Sequence, residues 1–487
     1  MRVALITEAF LARDGVGRSI LSKIRHLEAA GHQVTVWMES AEHLTMPGQE
    51  ARVRFTSLRD VLKEARGERR PGGFLDHDVW LYEYPTYFPL LETARLLCGR
   101  PVVFDFYGVT PPEYFPDEGA QDFIRRSLAE TRLMAEARMV LVHSAFSGRE
   151  LAAHAPVPEE RVRVLPIALD PRYIAPPPPE AVARVKAELG LEGRHVLLYV
   201  GRMAGNKGIA TLVEALAHVV RERPDTTLLL AGEDRRHGYA YFRGFALTRA
   251  LELGVEKNVR FLGQVSEETL HALYGAADVL VSASLHEGFG LPVAEAMACG
   301  TPCVVTQTTA LPETAGEGAL YFAPHDASGL AAQVLRVARE EGLRRGLGEK
   351  ARVNARRFHP EVVAKRLCEL LEEARALPVP VAADPLPLLS AAARLNIVYR
   401  DELAWPVVGP ALSWLRRKIT LHLEKFFLRP LQENVQIHAQ LATEEIAALR
   451  RRVAELTARI EELEAGRAGA TDGADRREPP SVSSVGR

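Results

Sequence analysis

The chain has 487 residues, 47% hydrophobic and 25% charged, which is enough apolar material for two or three cores and excludes a globally disordered polymer. Its 61 basic and 63 acidic residues leave a formal net charge of −2, which excludes a nucleic-acid binder driven by bulk charge. Four cysteines (Cys98, Cys299, Cys303, Cys368) are too few for a disulfide framework and point to a reduced, cytoplasmic protein, and no His or further Cys stands near Cys299 and Cys303 to complete a zinc set.

The first ten residues, MRVALITEAF, place Glu8 inside a short apolar run with no small-residue cleavage site, so they read as a first strand and not an export signal. Glycines follow at Gly15 and Gly17, then an amphipathic stretch over 19–30 that closes at Gly31. Apolar runs at 32–37, 79–82, 102–104, 139–142 and 162–165 alternate with helical patterns, which implies a parallel sheet covered on both faces. Consecutive prolines at 176–179 break the pattern and mark a linker over 173–190. The scheme then restarts with a strand at 196–200, a glycine-bearing loop, a helix over 209–220 and further strands at 227–230, 259–262, 279–282 and 303–305. Two such openings predict two doubly wound α/β domains, 1–172 and 191–377, the second ending in a closing helix.

Beyond residue 377 the character changes. A proline-rich stretch with an amphipathic, basic and aromatic segment (Trp405, Trp414, Arg416, Arg417, Lys418, Phe426, Phe427) occupies 378–430, and it suits either peripheral contact with anionic lipid or packing on the domains before it. Residues 431–465 repeat apolar positions every three and four residues (Val435, Ala439, Ala442, Ile446, Leu449, Val453, Leu456, Ile460, Leu463), a coiled-coil pattern that predicts homo-oligomerisation or a partner helix, the alternative being one amphipathic helix packed on its own domain. Residues 466–487 read as a disordered tail. No apolar run reaches the roughly 18 residues of a membrane span.

Two segments carry chemistry. His286-Glu287-Gly288-Phe289-Gly290-Leu291-Pro292 follows a strand, so it lies at a carboxyl edge of the sheet, where open α/β folds bind ligands. Gly288 and Gly290 uncover backbone N–H groups, Pro292 suits a helix start, and Glu295 falls one turn inside that helix. Two carboxylates toward one crevice are natural acceptors for the hydroxyls of a sugar or ribose. The second segment, Gly201-Arg202-Met203-Ala204-Gly205-Asn206-Lys207-Gly208, brings two cations and bare backbone to a helix amino terminus, an anion site that lacks the Gly-Lys-Ser/Thr of a Walker loop. Together they suggest a nucleoside-diphosphate sugar. Asp76-His77-Asp78 precedes its strand instead of following it, so no metal is expected.

These residues, with Gly300-Thr301-Pro302, Leu311-Pro312-Glu313 and Ala323-Pro324-His325-Asp326, resemble the retaining glycosyltransferases of family 4, also called group 1. In the first half the resemblance rests on Gly15-Val16-Gly17, Gly108-Val109-Thr110-Pro111-Pro112 and Ser144-x-Phe146-Ser147 before Leu165-Pro166. It implies the GT-B arrangement, two Rossmann-like domains across a cleft, and a metal-independent transfer to a glycan, lipid-linked or protein acceptor. Arg202 and Lys207 would neutralise the departing diphosphate, and Glu295 would hold ribose. Glu287 with the backbone of Gly288, Phe289, Gly290 and Leu291 would hold the transferred sugar, while Gly15 and Gly17 would let the first-domain loop approach. Tyr107 stands where many relatives carry a His. A nucleotide-sugar epimerase or hydrolase and a non-catalytic coiled-coil scaffold are the competing readings.

Overall fold

The computed structural model describes residues 1–378, apart from 13, 66–71, 98 and 236–238. The amphipathic segment, the coiled coil and the polar tail expected beyond residue 378 lie outside the described residues.

The first sheet holds β1 (Arg2–Ile6), β2 (Gln33–Met38), β3 (Val53–Phe55), β4 (Val79–Tyr84), β5 (Val102–Phe106), β6 (Met139–Val142) and β7 (Val162–Val164). They lie parallel in the order β3-β2-β1-β4-β5-β6-β7. The second holds β8 (His195–Val200), β9 (Thr226–Ala231), β10 (Val259–Gly263), β11 (Val279–Ser282), β12 (Cys303–Thr306) and β13 (Ala319–Phe322), ordered β10-β9-β8-β11-β12-β13 and again parallel. Helices cover both faces, so all six residues of β4 and all six of β9 are buried, which is why these strands read as continuous and not alternating runs. Each order reverses once, between β1 and β4 and between β8 and β11. These are the two switch points expected of doubly wound domains.

Two details differ from the sequence reading. The proline run is not all linker: Pro178 caps and Pro179 opens a helix, Pro179–Glu188, because proline's fixed φ and missing N–H suit a first turn. The closing helix, Pro360–Ala376, follows the second domain in sequence but packs on the first. Its stripe of Val363, Leu367, Leu370, Leu371 and Ala374 joins Val3, Leu5, Ile20, Ile24, Val103 and Leu141 in one cluster. Spacing of 3.6 residues shows that a face is buried, not which partner buries it. Each such aliphatic side chain contributes roughly 1.5–3 kcal/mol. Among the described residues no helix is long and apolar enough to cross a membrane.

Candidate active site

Strands β8 and β11 are neighbours, with Leu198 opposite Leu280, so the loops that leave their carboxyl ends start side by side. Both motifs lie on these loops, at the switch point of the second sheet. Asn206 Nδ2 donates to the His286 carbonyl at 2.9 Å, and Leu285 N donates to the Asn206 carbonyl at 2.7 Å. The approach needs glycine at Gly208, which adopts φ 62° and whose missing Cβ would lie 2.1 Å from the Ala283 carbonyl oxygen.

The stitching brings Lys207 Nζ to 2.6 Å from Glu287 Oε1, with the two side chains 13% and 18% exposed. Burial pushes the Glu287 carboxyl up, but the charge and hydrogen bond of Lys207 outweigh it, helped by Ser284, and hold it below the usual carboxylate range. Glu287 is therefore an ionised acceptor beside a cation. The second cation, Arg202, places its Nη1 3.2 Å from the Tyr239 hydroxyl, with its guanidinium over the Tyr239 ring.

Beyond Glu287 the helix Leu291–Cys299 begins at Gly290, whose φ is 90°, with no side chain capping its first turn. Among the described residues nothing hydrogen-bonds the N–H groups of Gly288, Phe289 and Gly290, so the loop presents a run of bare donors. Phe289 contributes backbone only, since its ring is buried edge-on against Phe358 at 5.1 Å.

Glu295 is one turn along, as expected, but it does not share a pocket with Glu287. It is 1% exposed, and its oxygens accept from Tyr274 Oη at 2.7 Å and face Arg18 Nη1 at 3.3 Å. Burial raises its carboxyl, with Arg18 and Tyr274 opposing. Arg18 belongs to the first-domain helix Gly15–Ala29 and also reaches Glu267 Oε2 at 2.9 Å, so it retains a charge partner if it releases Glu295. Glu295, Arg18, Gly15 and Leu291 line one crevice, in which a Cβ on Gly15 would stand 3.7 Å from Leu291. Gly17 serves the first domain itself: a Cβ there would meet the Leu11 carbonyl oxygen at 2.0 Å.

Tyr107 turns its phenol away from the donor loop. The hydroxyl donates to Glu83 Oε2 at 2.6 Å and accepts from Lys23 Nζ at 3.0 Å, while a Cβ on Gly288 would lie 2.4 Å from the Tyr107 carbonyl oxygen. Lys23 also binds Glu83 Oε1 at 2.9 Å and the Asp105 carboxylate, and His143 Nε2 lies 3.4 Å from Asp105 Oδ1. Sequence reasoning missed this buried ionic group and Arg18. A signal was present: Lys23 interrupts the apolar stripe Ile20, Ile24, Leu27, and single acids interrupt Tyr82-Glu83-Tyr84 and Phe104-Asp105-Phe106. Asp76 and Asp78 pair with Arg2, at 2.5 and 3.2 Å. Among the described residues no cluster of three His, Cys, Asp or Glu is arranged to hold a metal.

Residues 14–168 match the family model described as glycosyl transferase 4-like domain, and residues 183–354 the model described as glycosyl transferases group 1. O-antigen chain mannosyltransferase B of Escherichia coli is 29% identical over 293 residues, 60% of this chain and 73% of that protein. D-inositol 3-phosphate glycosyltransferase of Corynebacterium efficiens is 28% identical over 305 residues, 62% of this chain and 68% of that one. Among solved structures, sucrose-phosphate synthase from Thermosynechococcus elongatus superposes with a TM-score of 0.63 at 23% identity, covering 77% of this chain and 99% of its own. Anabaena HepE in complex with UDP and glucose superposes with a TM-score of 0.62 at 18% identity, covering 77% and 100%. With both halves matched in chain order and the two-sheet GT-B fold shared, the chain belongs to the family 4-like, group 1 glycosyltransferases, enzymes that take their sugar from a nucleotide-sugar donor.

Proposed function

We propose that the enzyme transfers a hexose with retention of anomeric configuration, without a metal, from a nucleoside-diphosphate sugar bound at the β8/β11 switch point. The observation that carries this reading is the Lys207–Glu287 pair at 2.6 Å, with Arg202 on the same loop. Breaking the anomeric C–O bond places negative charge on the leaving diphosphate, and two cations already in place stabilise that charge without reorganisation. Lys207 has three N–H donors, so it can meet phosphate oxygens while keeping Glu287. Glu287, ionised, accepts from hydroxyls of the transferred sugar, and the bare N–H groups of Gly288, Phe289 and Gly290 donate to it. Glu295 takes the ribose hydroxyls once Arg18 releases it and stays on Glu267. Gly15 and Leu291 close the far side of the cleft. The acceptor is a growing polysaccharide, glycolipid or other glycoconjugate.

The test is a thermal-shift screen against UDP, GDP, ADP and their sugars, followed by proton NMR of the product's anomeric signal. A donor that binds only the native state raises the melting temperature, by about 2.7 kcal/mol of stability at a hundredfold excess over Kd. Absence of stabilisation by every nucleotide, or an inverted product, refutes the reading.

A further inference from the structure

We propose that Ser144 and Ser147, on the first domain, are positioning residues for the donor loop of the second. The proposal rests on the donor reading given above and adds to it what orients the loop. Ser144 caps the helix Ala145–His154, and Ser147 lies in its first turn, both buried. Their hydroxyls converge on one atom across the cleft: Ser147 Oγ donates to the Gly288 carbonyl oxygen at 3.0 Å, and Ser144 Oγ, 2.9 Å from that oxygen and 3.0 Å from Ser147 Oγ, shares its one hydrogen between the two. A carbonyl oxygen has two lone pairs, so it can accept from both hydroxyls, fully from Ser147 and in part from Ser144.

The consequence follows from peptide planarity. The Gly288 carbonyl and the Phe289 N–H point in opposite directions within one rigid unit. Holding the carbonyl against the first-domain helix therefore turns the Phe289 N–H away from that helix and fixes the second of the three bare donors. The same helix fixes the flanks of the loop. His286 Nε2 lies 2.6 Å from Glu150 Oε1, two residues before Gly288. Glu313, from the second domain, accepts from Ala145 N at 2.7 Å and Phe146 N at 2.8 Å, where the amino-terminal helix dipole favours a carboxylate. Tripeptide 286–288 is thus held at both ends by one element of the opposite domain. A Gly288 carbonyl that leaves this helix loses both donors at once, so the donor loop takes its aim only when the two domains are together.

Ser147→Ala is the informative variant, because alanine suits a helix and only one hydroxyl disappears; Ser144→Ala would also remove the cap. Ser144→Thr, which keeps a capping hydroxyl, is the rescue control. The full chain is assayed with UDP, GDP, UDP-glucose and GDP-mannose as probes. For Ser147→Ala we expect kcat to fall roughly five- to tenfold, as for loss of one oriented hydrogen bond. Affinity for the nucleoside diphosphate should stay within about twofold while the added affinity of the sugar declines. Ser144→Thr should retain most of the wild-type rate. Unchanged kcat in Ser147→Ala, or an equal loss of affinity for nucleotide and nucleotide sugar, overturns the positioning role. A wild-type protein that binds none of the four probes overturns the donor reading itself, and that failure appears before any variant is made.

Discussion

Replacing Lys207 with methionine keeps the unbranched stem of the side chain and removes its charged end, which separates two effects of the 2.6 Å pair with Glu287. The first is on stability. Removing one partner of a fully buried pair costs about 3–5 kcal/mol, and with side chains 13% and 18% exposed the loss here should be nearer 2 kcal/mol, because water reaches the orphaned carboxylate. For a body of this size that is a fall in Tm of roughly 2–3 °C, read by calorimetry. The second effect is on rate: loss of one preorganised charge at the leaving group lowers kcat by about 10²–10³-fold. Glu287 itself adds a third readout. Lys207 holds its carboxyl down against burial, so without Lys207 the pKa rises and the acidic limb of the pH–rate profile moves to higher pH. The Glu287→Gln/Lys207→Met double variant should recover stability relative to Lys207→Met, since the unpaired charge is gone, yet recover no activity. Turnover within threefold of wild type in Lys207→Met, or a double variant less stable than the single, would refute this account of the site.

Gly288→Ala places a Cβ 2.4 Å from the Tyr107 carbonyl oxygen, so the two domains must separate, and transfer should drop more than tenfold with a measurably larger radius of gyration in solution scattering. Burial pushes the Glu83 carboxyl up to about 7, with Asp105 adding and Lys23 and Tyr107 opposing. An acid so raised stabilises the fold fully below its unfolded value, about 4.3, and that contribution is lost as pH rises to about 7. The Tm of Glu83→Gln should accordingly fall less than that of wild type between these values, and parallel curves would sink the assignment. Leu367→Ala empties a site 2% exposed under the closing helix and should cost about 2–5 kcal/mol in denaturant unfolding with little change in donor affinity.

Much of this molecule was legible because its strands are buried on both faces and its switch-point loops carry cations and glycines. The two sheets, the switch-point loops and the helix from Leu291 to the stop at Gly300 follow from local pattern alone. What the pattern does not contain is the partner of a buried face or charge. Pro360–Ala376 has a clear apolar stripe, but only tertiary structure shows that β1 and the helix Gly15–Ala29 receive it. Glu295 looked like a free acceptor, and it proves to be held by Arg18 from nearly three hundred residues away, a pairing no window of sequence reveals. Gly17 and Tyr107 illustrate the same point: each stands beside a motif, yet one relieves a clash with Leu11 and the other completes an ionic group inside its own domain.

The return of Pro360–Ala376 to the amino-terminal sheet has a consequence for biogenesis. Val3 and Leu5 leave the ribosome early, yet the aliphatic lid over them is translated some 360 residues later, which at 5–20 residues per second is a wait of roughly 20–70 s. During that interval one side of the nascent domain is an uncovered, sticky surface. Newly made protein should therefore lean on holdase chaperones until its last helix arrives, and nonsense truncations near residue 355 should aggregate even though every residue of the catalytic loops is present.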